Sequence, residues 1–226
     1  MKGKRIFYCE VAYLVGVVGL AIATAFIEKA NFGMSMVVAP AYLLHLKVSQ
    51  YLPFFSFGIA EYAFQLVLLL ALSVVMGKVK KSYFFSFATV LFYGFVLDVA
   101  IAILDLFPFG GIVWRLAFFV VGIIICAISV ACLFHTYLPP AAYELFVKEI
   151  AQKLGTPIGK TKTVYDCCSC LLGVVLSLVF FGGFVGVQWG TVVCALVNGW
   201  LIGHVSRFLE SSFEFKDALA LREKLD

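Results

Sequence analysis

The sequence predicts an all-α polytopic membrane protein, with six transmembrane helices arranged as two inverted three-helix repeats and two short half-helices near Pro40 and Pro139. Hydrophobic residues make up 63% of the 226 residues and charged residues only 13%, whereas about a quarter of the residues of a soluble domain are charged. Six apolar runs are each long enough to cross a bilayer core of about 30 Å as helices. In addition, several residues recur at a constant spacing of 105 positions.

The predicted spans follow one another along nearly the whole chain. They lie at about 6–27, 54–76, 82–104, 113–134, 164–185 and 188–208. Residues 34–46 are also apolar, but they are too few to cross the bilayer and Pro40 interrupts them. We therefore expect a half-helix there. The polar tail, 209–226, is expected to form a short frayed helix.

A second short segment follows Pro139 and Pro140. Residues 141–154 have an amphipathic pattern, which predicts one apolar helix face and one polar face. The polar face carries two favourable i,i+4 pairs, Glu144–Lys148 and Glu149–Lys153. We expect this segment to form the second half-helix.

The positive charges predict the orientation of the spans. If the N-terminus is cytoplasmic, fourteen of the 17 lysines and arginines fall on the inner side and three on the outer side. Cytoplasmic segments of membrane proteins are enriched in Lys and Arg. We therefore expect a multi-pass protein of the plasma (inner) membrane of a bacterium, with both termini in the cytoplasm. The three outer residues are Lys29, Lys47 and Arg115.

The constant spacing divides the chain into two halves, residues 1–106 and 107–210, followed by a cytoplasmic tail, 211–226. The matched pairs are Glu61 and Asp166, Gly77 and Gly182, and Gly94 and Gly199. Each half has three spans, so the second half enters the membrane from the opposite side. Such inverted repeats recur in secondary transporters, whose substrate sites lie between the repeats beside broken helices.

Several short motifs carry a resemblance to a known family. They are Asn31-Phe32-Gly33-Met34-Ser35, Thr163-Val164-Tyr165-Asp166, Gly182-Gly183, Gly190-Thr191-Val192 and Asn198-Gly199. Together they resemble the YczE/YyaS/YitT family of bacterial multi-spanning membrane proteins, and its YczE-like branch most closely. The chain departs from the expected pattern at Met36, Trp189 and Trp200. The family is largely uncharacterised, so the resemblance implies a membrane architecture and no particular chemistry.

Four polar residues within the spans are candidate substrate-binding residues. Glu61 and Asp166 are carboxylates in apolar segments, where a charge is costly unless it faces protein or water. Gln65 and Asn198 are uncharged polar groups in similar positions. The alternatives are structural: Asp166 could cap its helix, and the two amides could form interhelical hydrogen bonds.

Asp98 and Arg115 are expected to form a structural ion pair. They lie in the outer parts of consecutive spans that only a short turn separates. Because an unpaired charge at this depth is unfavourable, each would neutralise the other.

The remaining motifs exclude several classes of function. Cys167, Cys168 and Cys170 lack the further cysteines or histidines of a tetrahedral zinc site, so we expect no metal. They are expected at the reducing cytoplasmic face, and no cysteine falls in an outer loop, so we expect no disulfide either. Typical motifs of hydrolases, metalloproteases and nucleotide-binding proteins are absent, which argues against an enzyme and a cofactor. The basic residues lie at span ends rather than on one face, so nucleic acid is not an expected partner.

Three functions fit these observations. The first is a permease that moves an unidentified small molecule or cation across the lipid bilayer by alternating access. The second is the substrate-capturing subunit of a vitamin transporter, with Ala21-x-x-x-Ala25 as a helix-contact motif. The third is a non-transporting membrane regulator or scaffold. Two halves related by a two-fold axis would favour the permease, and an unsymmetrical bundle with an outward cavity would favour the capture subunit. Association into a homo-oligomer stays open.

Overall fold

The computed structural model describes residues 5–107, 110–156 and 158–219. These residues form eight helices, of which six are long and apolar enough to cross a membrane. The helices are α1 Cys9–Ala30, α2 Ala39–Val48, α3 Phe57–Met76, α4 Lys81–Asp105, α5 Ile112–Phe134, α6 Ala142–Leu154, α7 Ile158–Phe181 and α8 Trp189–Ser212. The expected all-α polytopic architecture is therefore confirmed. The fifth span differs most from its prediction, because its helix begins at Ile158 and ends at Phe181.

The two half-helices are also confirmed. Helix α2 has 10 residues and α6 has 13, so at about 1.5 Å per residue neither crosses a bilayer core of about 30 Å. Pro40 lies in the first turn of α2, where its missing N–H has no helical partner to lose. Pro139 and Pro140 lie just before α6, which begins at Ala142.

Helices α1 and α5 pack against each other at the centre of the bundle. Small residues allow this close approach. A Cβ atom at Gly16 would lie 2.7 Å from the Leu133 side chain, and one at Gly122 would lie 2.8 Å from Ile27. Helix α4 packs on α1, α8 packs on α5, and the half-helices α2 and α6 each contact both α3 and α7.

A pair of short strands joins the two ends of the described chain. Strand β1, Arg5–Tyr8, pairs in parallel with β2, Phe213–Lys216. The expected start of the first span and the expected frayed helix of the tail are thus wrong at these residues. The ring of Phe7 lies 5.5 Å from that of Phe213 and 5.6 Å from that of Phe215. These partly buried rings pack against the small apolar cluster of Ala12, Ala131 and Leu209.

Strands β1 and β2, the α3–α4 turn and α6 lie on one face of the bundle, which we call the terminal face. The Tyr137 hydroxyl donates to Glu10 Oε1 at 2.7 Å, which places the α5–α6 connection beside the start of α1. Lys80 Nζ donates to Glu149 Oε1 at 2.7 Å, which joins the α3–α4 turn to α6. The segments expected on the inner side are therefore grouped together. Lys2, Lys4, Arg222 and Lys224, which contributed to that expectation, lie outside the described residues.

The opposite face of the bundle is closed by backbone contacts between the two halves. Met34 N donates to Gly186 O, and Gly190 N donates to Phe32 O, each at 2.8 Å. Gly33 has a φ of +102°, and a Cβ there would lie 2.7 Å from Gln188 N. Residues 31–38 therefore fit closely against the α7–α8 connection.

Candidate functional site

A cavity of about 650 Å³ lies between the two halves. Residues of α1, α3, α4, α5, α6, α7 and α8 line it, together with residues 34–38. Its volume is typical of sites for small molecules. We call it the central cavity.

The central cavity is accessible from the terminal face. At its deep end Thr24 is 5% exposed, while Met34 and Cys194 are buried. Toward the terminal face, the side chains of Lys162 and Asp166 are 22% and 20% exposed. Residues 31–38 lie across the other end, so the terminal face offers a route for a solute.

Three of the four candidate binding residues, Gln65, Asp166 and Asn198, line the central cavity. Glu61 lies one layer behind them, because Gln65 and Tyr143 separate it from the cavity. The fold therefore brings three of the four predicted residues to one site and places Glu61 next to it.

Glu61 is completely buried. Its Oε2 accepts hydrogen bonds from Gln65 Nε2 at 2.8 Å and from the Tyr143 hydroxyl at 3.0 Å. Its Oε1 has no hydrogen-bond partner among the residues that the structure describes. Gln65 Oε1 in turn accepts a hydrogen bond from Ala142 N at 3.0 Å, so Gln65 ties α3 to the first turn of α6.

Asp166 lies well inside α7, which begins at Ile158, and therefore does not cap the helix. Its Oδ1 accepts a hydrogen bond from Lys162 Nζ at 2.8 Å, one helical turn away. The pair places one carboxylate and one neutralising ammonium at the accessible end of the cavity. Asn198 bonds Cys126 Sγ across the α5–α8 contact at 3.9 Å, while its Oδ1 is buried without a partner.

Glu144 is a site residue that the sequence interpretation missed. It was expected on the polar face of α6 beside Lys148, but it lines the central cavity and is 7% exposed. Burial raises the pKa of Glu144 above its ordinary value, and the nearby Lys162 ammonium offsets part of that effect. Its Oε2 has no hydrogen-bond partner.

The amphipathic pattern misled because α6 is enclosed by other helices. Helices α3, α4 and α7 pack around α6, so even its charged residues contact protein. Glu149 pairs with Lys80 rather than with Lys153, and Lys153 Nζ donates to Val75 O. The sequence feature that could have identified Glu144 is its position as a carboxylate in a half-helix, because transporters place binding groups beside broken helices.

Asp98 and Arg115 have separate partners, so the expected ion pair is not among the contacts of the described residues. Asp98 accepts hydrogen bonds from Ser56 Oγ at 2.6 Å and from Gly58 N at 2.8 Å, at the start of α3. Arg115 donates to Ala30 O at 2.8 Å and to Asn31 O at 2.7 Å. Each charge is therefore stabilised by unsatisfied backbone groups at a helix end rather than by the opposite charge.

Comparison with known proteins identifies the family but no activity. No curated protein and no solved structure matches the chain. A model of a family of unknown function, DUF6198, matches residues 7–207, which include all six spans but for the last few residues of α8. The expected assignment to the YczE/YyaS/YitT family stays a prediction. The chain belongs to the DUF6198 family of unknown function.

Proposed function

We propose that the protein is a small-molecule permease of the inner membrane that works by alternating access. The observation that carries the proposal is the central cavity, which residues from both parts of the chain line and which reaches from the buried Met34 and Cys194 to Lys162 and Asp166. A transporter needs such a site near the middle of the membrane, closed to one side at a time. Residues 31–38 form the closed side.

The packing of the helices supports the inverted repeat. If α1–α4 correspond to α5–α8, the central α1–α5 contact maps onto itself and α4 on α1 maps onto α8 on α5. The contacts of α2 with α3 and α7 likewise map onto those of α6 with α7 and α3. The half-helices would then exchange between the two halves, 1–106 and 107–210.

The matched glycines support the same correspondence. Gly77 and Gly182 end the third helix of each half in the left-handed conformation, with φ values of +67° and +66°. Gly94 packs against Tyr62, whereas a Cβ at Gly199 would meet nothing within 4 Å. The two halves thus share a plan but differ in packing on the side where α8 borders the cavity, as alternating access requires of related halves in one state.

The charge bias, combined with the grouping of basic segments on the terminal face, supports an inner-membrane protein with both termini in the cytoplasm. The central cavity would then be accessible from the cytoplasm. A capture subunit requires a cavity open to the outside, so this arrangement favours the permease.

The polar groups of the central cavity favour an organic cation as substrate. Glu144 Oε2 and Asn198 Oδ1 are acceptors without donors, and the Lys162 ammonium is already paired with Asp166. Apolar residues, among them Leu20 and Val130, form much of the remaining wall. An ammonium group would donate hydrogen bonds to these acceptors, and an attached apolar group would pack against the apolar wall of the cavity.

Benzylammonium, benzyl alcohol and benzoate provide a matched test, because they share one apolar body and differ in charge. Purified protein should gain thermal stability with benzylammonium only. Vesicles containing the protein should take up labelled benzylammonium faster than vesicles containing Asp166→Asn. Asp105→Asn is the matched control, because Asp105 also pairs with a lysine, Lys29 at 2.6 Å, but does not line the cavity.

Two results would contradict the proposal. Equal stabilisation by all three compounds would exclude recognition of the positive charge. Equal loss of uptake in Asp105→Asn and Asp166→Asn would exclude the cavity as the site. Binding of benzylammonium without any protein-dependent uptake would favour a regulator over a permease.

A further inference from the structure

We propose that Glu61 is a proton-binding site that is coupled to the central cavity. In this role Glu61 holds a proton when the cavity is empty and releases it when a cation enters. The inference rests on the permease proposed above, but its first step, the protonation of Glu61, concerns the protein without any ligand.

The first argument is the absence of a compensating charge at Glu61. Three carboxylates of α4, α6 and α7 are paired with lysines: Asp105 with Lys29, Glu149 with Lys80, and Asp166 with Lys162. Among the described residues no salt bridge reaches Glu61, which is completely buried. An ionised carboxylate in such a place costs several kcal/mol, and a neutral acid avoids that cost.

The second argument is the geometry of the hydrogen bonds. Both donors, Gln65 Nε2 and the Tyr143 hydroxyl, bond the same oxygen, Oε2. A carbonyl oxygen has two lone pairs and accepts two such bonds, so Oε2 fits the carbonyl oxygen of a neutral acid. Oε1, which has no donor, is then the hydroxyl that carries the proton.

The groups around Glu61 support a neutral acid. Each neighbouring helix contributes tyrosines or carboxyl groups rather than a free cation. The lysine nearest to this cluster, Lys162, is bonded to Asp166. The titratable groups that face Glu61 are Tyr93 from α4, Tyr143 and Glu144 from α6, and Tyr165, Lys162 and Asp166 from α7.

Tyr143 and Glu144 connect this proton to the central cavity. Both line the cavity, and they are neighbours on α6. The Tyr143 hydroxyl bonds Glu61 Oε2, so a rotation of the carboxyl group that brings its hydroxyl to Tyr143 would let Tyr143 pass the proton to water in the cavity. A cation held beside Glu144 stabilises the ionised form of Glu61, and by linkage the proton weakens binding of the cation.

The exchange is balanced in charge. One proton leaves the Glu61 carboxyl group as one monovalent cation enters the cavity, so the buried cluster keeps the same net charge. When the cation leaves, the carboxylate takes up a proton again. Entry of the organic cation from one side would then be exchanged for a proton.

Infrared spectroscopy of the purified, ligand-free protein tests the first step. A protonated carboxylic acid has a C=O stretching band that a carboxylate lacks. At pH 7 we expect the wild type to show this band. In Glu61→Gln the band should be weaker by the intensity of one carboxylic acid group. Glu149→Gln is the matched control, because Glu149 is also buried but forms a salt bridge with Lys80.

Proton release tests the coupling. In weakly buffered solution, benzylammonium should release about one proton more per bound cation from the wild type than from Glu61→Gln, which should still bind it. Identical bands in wild type and Glu61→Gln would overturn the proton site. Equal proton release from both proteins would overturn the coupling. If the wild type binds no benzylammonium, both the proposed recognition of an organic cation and its coupling to Glu61 are refuted. The infrared band still decides independently whether Glu61 carries a proton.

Discussion

Replacement of Asp98 by alanine tests how the first turn of α3 is held. The carboxylate bonds Ser56 Oγ and Gly58 N, and Ser56 Oγ in turn accepts a hydrogen bond from Ile59 N at 3.1 Å. Each charged hydrogen bond contributes about 1.5 kcal/mol. Asp98→Ala should therefore lower the free energy of unfolding by about 3 kcal/mol, measured by reversible unfolding in mixed detergent micelles.

Two controls make this prediction specific. Asp105→Ala should lower the free energy of unfolding by less than about 1 kcal/mol, since Asp105 forms an exposed ion pair later on the same helix. Asp98→Ala and Arg115→Ala should be additive to within about 0.5 kcal/mol, because the two residues share no partner. A coupling energy above about 1 kcal/mol would show that Asp98 and Arg115 interact after all.

Two further predictions concern orientation and pH. In a cysteine-free background, a membrane-impermeant maleimide should label a cysteine at Lys47 on intact cells but not one at Lys78, and labelling of the latter would reverse the proposed orientation. Burial raises the pKa of Glu144, so the folded protein binds this proton more tightly than the unfolded chain does. The free energy of unfolding should then fall as pH rises above about 4.3, and Glu144→Gln should reduce this slope. Parallel pH curves for wild type and variant would be inconsistent with a raised pKa of Glu144.

The spans could be predicted because the bilayer imposes a length and a composition on each of them. Phe57–Met76 and Ile112–Phe134 agree with expectation to within a few residues for this reason. The half-helices could be predicted because Pro40 interrupts an apolar segment too short to cross and Pro139 precedes a short amphipathic segment. These features depend on local sequence and need no knowledge of packing.

The partners of individual polar groups could not be predicted, since they depend on tertiary contacts. Glu144 has the sequence environment of an exposed residue, and only the position of α6 between α3 and α7 buries it. Asp98 was expected to seek the nearest opposite charge, but the free N–H groups at the start of α3 lie closer. The β1–β2 pair escaped because each strand has only four residues.

The pairing of β1 with β2 has a consequence for the biogenesis of the protein. Strand β1 emerges first from the ribosome, and its partner, β2, follows only after the last span. Contacts between such distant segments form late, because closing a long loop is entropically costly. Helix α1 must therefore reside in the bilayer through most of translation before its start is fastened. A nascent chain that stops before Phe213 should retain six inserted helices while leaving the apolar residues of β1 open to aggregation or to membrane quality-control proteases.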